Sequence, residues 1–110
     1  MKDRDYLDRI ILYCQKINRY IGSINSVVIL EQNEMNLDAI IMNLEQIGET
    51  AKKLSEAAKE NYFDIDWQKI IGLRNMISHE YEGINITIIY SIATIHVPKL
   101  LDSLVNGRDE

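Results

Sequence analysis

Apolar residues recur along most of this 110-residue chain at the three- and four-residue spacing that is typical of amphipathic α-helices. Over residues 6–21 they cover roughly half of the helix circumference, at about 100° per residue. A short, less regular stretch follows over residues 23–33, and a second long helix is predicted over residues 36–59. Gly48 lies inside the apolar stripe of that second helix. Because glycine costs a helix interior about 1 kcal/mol, its position predicts that another backbone packs closely there.

A third helix is predicted after a connection at residues 61–65. Asp66 is a suitable N-cap, so the helix should start at Trp67, and its apolar pattern ends near Gly83.

The fourth helix is predicted over residues 86–105, with Asn85 or Thr87 as its N-cap. Pro98 falls inside it, so a kink is expected just before that residue. The run 86–90 is rich in residues that favour strands, but the length of the segment and its later apolar spacing favour a helix. The four predicted helices indicate an all-α fold, an antiparallel bundle of four to five helices.

Composition narrows the class of protein. The length predicts one domain, residues 1–110, and the 46% hydrophobic content is enough for a core. A domain of this size buries only about two-thirds of its unfolded surface, so we expect a homodimer interface in addition. The net charge of -5 argues against a broad electrostatic surface for nucleic acid, although a local site for one phosphate remains possible.

The single cysteine, Cys14, excludes an intrachain disulfide and fits a reducing compartment. It lies on the apolar face of the first helix, where we expect an inert core thiol. The apolar runs are interpreted as too short to span a bilayer, and the charged first residues are not followed by a signal-peptide segment. A cytoplasmic protein without a membrane segment is therefore predicted.

The residues best suited to chemistry are concentrated in the segment 74–81, R-N-M-I-S-H-E-Y. Arg74 projects from within the apolar arc of the third helix, where a charged group is costly unless it is paired. It therefore either pairs with a carboxylate of the second helix, Glu45 or Glu49, or lines a cavity that accepts an anion. The sequence leaves both alternatives open.

Asn75 and His79 are four residues apart and share a helix face, on which Gly72 leaves room. Asn75 can hold the imidazole in one tautomer or bind a phosphate oxygen, and His79 is suited to proton transfer near neutral pH. Arg74 and His79 are about 140° apart on an ideal helix. The long arginine side chain, or a second subunit across a two-fold axis, would close that gap. Tyr81 is expected at the end of the helix with an accessible hydroxyl.

Other features have a structural and a functional interpretation. Tyr6, Tyr13 and Tyr20 recur every seven residues and form a line that fits the edge of a core or an interface better than a base-stacking platform. His96 lies in the apolar arc of the fourth helix, where packing or a dimer contact is favoured over a role at residues 74–81. Neither metal-ligand spacing nor a glycine-rich phosphate loop is present in the sequence, so no metal or cofactor is expected.

The segment 74–81 fits the pattern R-N-x-x-x-H-x-Y and resembles the signature of HEPN-domain proteins of the HepT type. These are the toxin partners of minimal nucleotidyltransferases. The resemblance extends to residues 43–55 (N-L-E-Q-I-G-E-T-A-K-K-L-S), to residues 66–75 (D-W-Q-K-I-I-G-L-R-N) and to V-P-K-L at residues 97–100. It implies a dimeric, HEPN-like bundle and a metal-independent ribonuclease with a composite site at the dimer interface.

Carried over residue by residue, the resemblance implies that Arg74 binds the scissile phosphate and that Asn75 orients the site. His79 would act as general base or acid while the ribose 2′-hydroxyl attacks phosphorus, which gives a 2′,3′-cyclic phosphate. Tyr81 occupies the position at which the antitoxin of the family attaches AMP. The added bulk and charge would block RNA and compete for Arg74.

The expected function is therefore a toxin ribonuclease whose partners are a second copy of the chain, RNA and a cognate nucleotidyltransferase antitoxin. The alternative is a non-catalytic binding subunit of a nucleotidyltransferase. A third option is a purely structural helical dimer, in which Arg74 forms a buried ion pair and His79 has no chemical role.

Overall fold

Helices dominate the part of the chain that the computed structural model describes, residues 2–79 and 85–108, without the side chains of residues 78, 79 and 108. They are α1 (Lys2–Ile21), α2 (Val27–Gln32), α3 (Glu34–Ala51), α4 (Glu56–Asn61), α5 (Trp67–His79) and a last helix made of α6 (Ile86–Ser91), a π-helical turn (Ile92–His96) and α7 (Val97–Arg108). No strand occurs in these ranges, which confirms the predicted all-α bundle. The predicted end of the third helix near Gly83 lies outside the described residues.

The bundle is built around α3, which packs against α1 on one side and α5 on the other, while α7 packs on α1. Contacts at both ends show that α1 and α3 are antiparallel. Asn36 Nδ2 donates a hydrogen bond to the Tyr20 carbonyl at 2.9 Å, and Asp3 accepts hydrogen bonds from Ser55 beyond the other end of α3. The largest side chains that are fully buried come from most of the helices: Ile10, Ile17, Leu30, Ile40, Leu44, Ile47, Ile77, Ile89 and Leu104.

The prediction of one helix over residues 36–59 was wrong, because α3 ends at Ala51 and a turn separates it from α4. Ser55 begins the new helix: its Oγ accepts a hydrogen bond from the Ala58 N–H at 3.1 Å. The Asp3 carboxylate accepts hydrogen bonds from Ser55 N and Oγ at 3.0 and 2.6 Å, which fixes the turn against α1. Since Leu54 and Ala58 remain buried after the break, the apolar spacing does not reveal it.

Side-chain caps place the starts of α5 and α6 where the sequence predicted them. Asp66 Oδ1 accepts a hydrogen bond from the Lys69 N–H at 3.2 Å. Asn85 Oδ1 accepts from the N–H groups of Thr87 and Ile88 at 2.9 and 3.3 Å, so Asn85 is the N-cap of α6. Each cap satisfies N–H groups that have no partner within the first turn of their helix.

The irregularity predicted at Pro98 takes the form of the π-helical turn just before it. The Val97 N–H donates to the Ile92 carbonyl, five residues back. Proline has no N–H to donate to the carbonyl of Thr94, four residues earlier, so the regular pattern is interrupted at this position. The Thr94 hydroxyl also donates to the Tyr90 carbonyl at 2.7 Å. The β-forming residues 86–90 are helical, as the spacing favoured.

The last helix has a longer apolar run than the sequence analysis expected of any segment of the chain. Ile86–Gly107 is 22 residues long and contains an 18-residue window with a mean hydropathy of 1.3, enough to span a bilayer by length and composition alone. The sequence prediction that no apolar run reaches that length was therefore wrong. Core helices of globular proteins meet the same criterion, and this helix places Ile89, Ala93, Val97 and Leu104 in the core. Taken alone, the helix is weak evidence for a membrane span.

Candidate functional site

The closest approach of α3 and α5 determines where Arg74 lies. A Cβ atom added to Gly48 would lie 3.0 Å from both Cβ and the backbone N of Arg74, and 3.1 Å from the Ile70 carbonyl oxygen. Only the missing side chain lets the two backbones come this close. The close packing predicted from Gly48 is confirmed, and it holds the backbone of Arg74 directly against α3.

Arg74 forms an ion pair with Glu49, between its Nε and the Oε1 of the carboxylate. Of the two alternatives left open, a carboxylate partner on the second long helix is the one observed, and Glu49 rather than Glu45 supplies it. The expected burial was wrong, because the side chains of Arg74 and Glu49 are 44% and 36% exposed. The stem of Arg74 crosses α3 at Gly48, and its charged head reaches water.

Exposure makes the Arg74–Glu49 pair weak and exchangeable. Ion pairs in contact with water contribute at most about 1 kcal/mol to stability. The pair uses Nε, whereas a guanidinium has five N–H donors, enough to hold one carboxylate and a further anion together. Glu49 therefore fixes the direction of the guanidinium at modest cost and leaves it able to bind an anion.

The structure places Asn75 on the exposed surface of α5, next to Arg74. Gly72, one turn earlier, has no atom within 4 Å of an added Cβ, so space is open beside this part of α5. The backbone of His79 ends the helix. The side chain of His79 and the whole of Tyr81 lie outside the described residues, so the predicted grouping of these residues with Arg74 stays a prediction.

A separate groove lies between α5 and the last helix, with a volume of about 690 Å³. Its floor is apolar, and neither Arg74 nor Asn75 lines it. The lining residues are Leu44, Ile47, Asp64, Ile65, Asp66, Lys69, Ile70, Gly72, Leu73, Met76, Ile92, His96, Val97, Lys99, Leu100 and Ser103.

His96 is an exposed wall residue of that groove, so its predicted packing into the core was wrong. It is the last residue of the π-helical turn. A π-helical turn places more residues in each turn than an α-helix does, so the residues that follow it rotate away from their ideal positions. The dimer contact offered as the other possibility for His96 stays a prediction.

Cys14 and the tyrosine line have the structural roles that the sequence favoured. Cys14 is fully buried, and burial raises the pKa of its thiol to about 12, which confirms an inert core thiol. Tyr6, Tyr13 and Tyr20 are partly buried and pack against the core, which confirms the edge-of-core interpretation. The sequence analysis missed the basic side chains that lie over these rings, although basic residues of α1 stand close to the tyrosines in the sequence.

Two of the three rings carry cations in the structure. The Arg9 guanidinium lies 5.9 Å from the centre of the Tyr6 ring, and the Lys53 ammonium lies 5.8 Å from the same ring. The Arg19 guanidinium lies 5.6 Å from the centre of the Tyr20 ring. These are cation–π distances. Among the described residues, no three His, Cys, Asp or Glu side chains come together as a metal site would require.

Comparison with known proteins identifies the family. A family model described as ribonuclease HepT-like matches residues 10–106. The chain belongs to the HepT-like ribonuclease family. The matched range includes α5 and the segment 74–81 on which the resemblance was first based. The HepT-like assignment also agrees with the helical bundle.

Individual relatives carry names of the same kind. A protein of Caldanaerobacter subterraneus subsp. tengcongensis, described as a candidate RNase, is 29% identical over 97 residues, 88% of this chain and 86% of the relative. Two proteins of Methanocaldococcus jannaschii with the same description are 34% identical over 68 residues and 35% over 78. They cover 62% and 66% of this chain, which in turn spans 62% and 64% of their lengths. No solved structure matches the chain.

Proposed function

We propose that this HepT-like protein is the cytoplasmic toxin of a toxin-antitoxin pair and acts as a metal-independent RNA endonuclease. The observation that carries the proposal is Arg74: an exposed guanidinium, oriented by Glu49, beside the exposed Asn75 on the helix that ends with His79. The chain has a net charge of -5, so a local cation that can bind a phosphate matters more here than in a basic protein.

The proposed reaction is an internal displacement at phosphorus. The ribose 2′-oxygen forms a bond to phosphorus, the bond from phosphorus to the 5′-oxygen breaks, and the products are a 2′,3′-cyclic phosphate and a 5′-hydroxyl. His79 takes the proton of the 2′-hydroxyl, and the His79 of a second copy gives a proton to the leaving 5′-oxygen. Arg74 stabilises the negative charge that develops on the phosphate oxygens, and Asn75 orients the site.

A homodimer would complete this site. General acid and general base must act on opposite sides of the phosphorus, and a two-fold axis provides two copies of one histidine. The exposed Asn75 and the open space at Gly72 support contact with a second copy along α5. RNA would then bind between the two α5 helices, within reach of both Arg74 side chains.

Modification of Tyr81 is the proposed means of inhibition. A cognate nucleotidyltransferase would transfer AMP from ATP: the phenol oxygen attacks the α-phosphorus, pyrophosphate leaves, and the phenol proton passes to a base. The attached phosphate carries negative charge and competes with RNA for Arg74. The alternative proposal, a non-catalytic binding subunit of a nucleotidyltransferase, requires the same partner but no RNA cleavage.

An RNA cleavage assay with matched histidine variants tests catalysis. The purified protein should cleave RNA in the presence of EDTA and leave 2′,3′-cyclic ends. His79→Ala should lower the rate by about 100-fold or more, as the loss of a general acid or base does. His96→Ala, which changes the chain's second histidine, should leave the rate unchanged. Equal losses in both variants, or loss of activity in EDTA, would contradict the proposal. No cleavage at all would favour the binding subunit.

Mass measurement tests the modification. Incubation with a minimal nucleotidyltransferase of the kind proposed as the antitoxin, together with ATP, should add AMP units to the wild-type protein and to a Tyr90→Phe control. Tyr81→Phe should remain unmodified and keep its ribonuclease activity. An unchanged wild-type mass, or AMP on Tyr81→Phe, would remove Tyr81 from the proposal while leaving the catalytic part intact.

A further inference from the structure

One face of α1 carries cations and tyrosines in strict alternation. Lys2, Tyr6, Arg9, Tyr13, Lys16 and Tyr20 follow one another at steps of four and three residues, and we call them the α1 stripe. Residues at these steps lie above one another on a helix, so the six form a single line. At about 1.5 Å per residue the line is ~27 Å long, enough for several nucleotides of an extended strand.

The structure brings these rings and cations together at the surface. The tyrosine rings pack by one side against the core, while Lys2 and Arg9 are exposed and Lys16 is partly exposed. Arg9 lies over the Tyr6 ring. Lys53, which follows α3 in the chain, lies over the same ring and adds a fourth cation to the stripe.

Charge is distributed unevenly between the α1 stripe and the remainder of the protein. The chain has 17 acidic and 12 basic residues, yet no position of the stripe is acidic. With Lys53 the stripe gathers four cations along one helix face. Asp3, Asp5 and Asp8 lie on the same helix outside this line, so the attraction for a polyanion is local to the stripe and Lys53.

The α1 stripe is connected to the proposed active site through α3. Lys53, two residues after the end of α3, lies over Tyr6, and Asn36 near the start of α3 donates to the carbonyl of Tyr20. Both ends of the stripe are therefore fixed against α3. The same helix supplies Glu49, which holds Arg74. A strand bound along α1 would thus need to cross only one helix to reach that guanidinium.

We propose that the α1 stripe binds single-stranded RNA and leads the strand towards Arg74. Lys2, Arg9, Lys16 and Lys53 contact phosphates, and the partly exposed ring of Tyr13 stacks on an unpaired base. Aromatic rings alternating with cations are how proteins bind single strands without reading sequence, because every base has a stacking face. Bases inside a duplex are not available for this contact. The inference rests on the proposed ribonuclease function, for which it identifies the surface that binds the substrate strand.

The test measures binding separately from cleavage. Fluorescence anisotropy with a labelled single-stranded 12-mer RNA and with its duplex gives Kd across a series of salt concentrations, using the full chain carrying His79→Ala so that the RNA stays intact. Two triple variants with the same loss of charge are compared in this background. The stripe variant carries Lys2→Gln, Arg9→Gln and Lys16→Gln, and the control carries Arg4→Gln, Lys69→Gln and Lys99→Gln.

The stripe variant should lose about tenfold or more in affinity for the single strand, while the control stays within about twofold. The dependence of log Kd on log salt should weaken by about 2 in the stripe variant, because each phosphate contact on a single strand contributes about 0.7. In a separate pair, Tyr13→Leu should lose about tenfold without a change in the salt dependence, and Tyr13→Phe should retain binding. Circular dichroism and melting confirm that each variant is folded.

Several outcomes would overturn the inference: equal losses in the two triple variants, unchanged binding in the stripe variant, or equal losses for single strand and duplex. A stripe variant that binds RNA normally but no longer dimerises would assign the stripe to a protein partner instead. The proposed function fails separately. Binding through the α1 stripe without cleavage by the wild-type protein would refute the nuclease alone. If the stripe variant with His79 intact cleaves RNA with an unchanged KM, only the proposal that the α1 stripe binds RNA is refuted.

Discussion

Gly48 and Gly72 offer the same substitution in two helices with opposite expected effects on stability. In Gly48→Ala the new Cβ would lie 3.0 Å from Cβ and N of Arg74 and 3.1 Å from the Ile70 carbonyl oxygen. Two of these three atoms belong to the backbone of α5, so relief requires α3 and α5 to move apart. In Gly72→Ala the new Cβ meets no atom within 4 Å.

The magnitudes follow from two competing terms. Replacing glycine by alanine inside a helix gains about 1 kcal/mol of helix propensity at either position. Adding a methyl group to a tightly packed contact costs about 1 to 3 kcal/mol. Gly48→Ala should therefore destabilise the protein by about 1 kcal/mol, and Gly72→Ala should stabilise it by up to about 1 kcal/mol. The separation of about 2 kcal/mol corresponds to ~8 °C in Tm for a domain of this size.

Urea and thermal unfolding measure this difference. The protein concentration is held constant, because the stability of a dimer depends on the protein concentration. RNA cleavage provides a second readout, since separating α3 from α5 moves Arg74 away from Glu49 and should lower the rate in Gly48→Ala. If both alanine variants are equally stabilised, the close packing at Gly48 is not under steric constraint, and the account of how Arg74 is positioned fails.

Three further predictions concern single contacts. Burial raises the pKa of the Cys14 thiol from 9.0 to about 12, so this group's contribution to stability should be complete below pH 9 and be lost as pH rises towards 12. Urea unfolding at rising pH should show this loss of stability in the wild type and not in Cys14→Ala. Hydrogen bonds from Ser55 hold the pKa of Asp3 below its usual 3.8, so the contribution of Asp3 to stability is present above that pH and lost in acid. In Asp3→Asn the free energy of unfolding should fall less steeply as the pH is lowered, and a profile equal to that of the wild type would contradict this. Glu49→Gln should keep the fold but lower kcat for RNA cleavage several-fold by releasing Arg74, whereas an increase in kcat would identify Glu49 as a competitor of the phosphate.

Local features of the sequence were enough to predict the four long helical segments, although not α2 or α4 as separate helices. Asp66 and Asn85 cap α5 and α6 as expected, because an N-cap depends only on the next few residues. The approach of two helices at Gly48 was also predicted, since an unfavourable glycine inside an apolar stripe indicates a steric requirement. The segment 74–81 indicated the HepT-like family because its residues are adjacent in sequence.

Features that depend on distant contacts were predicted wrongly or left open. The break after Ala51 escaped the apolar pattern because the turn is fixed by Asp3, 52 residues away from Ser55. His96 turned out to be exposed because the π-helical turn changes the helix register that the wheel assumed.

The sequence by itself determined that the chain is helical, where α5 and α6 begin, and which family it belongs to, because periodicity, capping and motifs act over one or two helical turns. Only the tertiary structure decided which carboxylate pairs with Arg74 and how far that pair is exposed to water. Glu45 and Glu49 are one turn apart on α3 and fit the pattern equally well. The choice between them depends on how closely α5 crosses α3, and that distance is set by the packing of the whole bundle around Gly48.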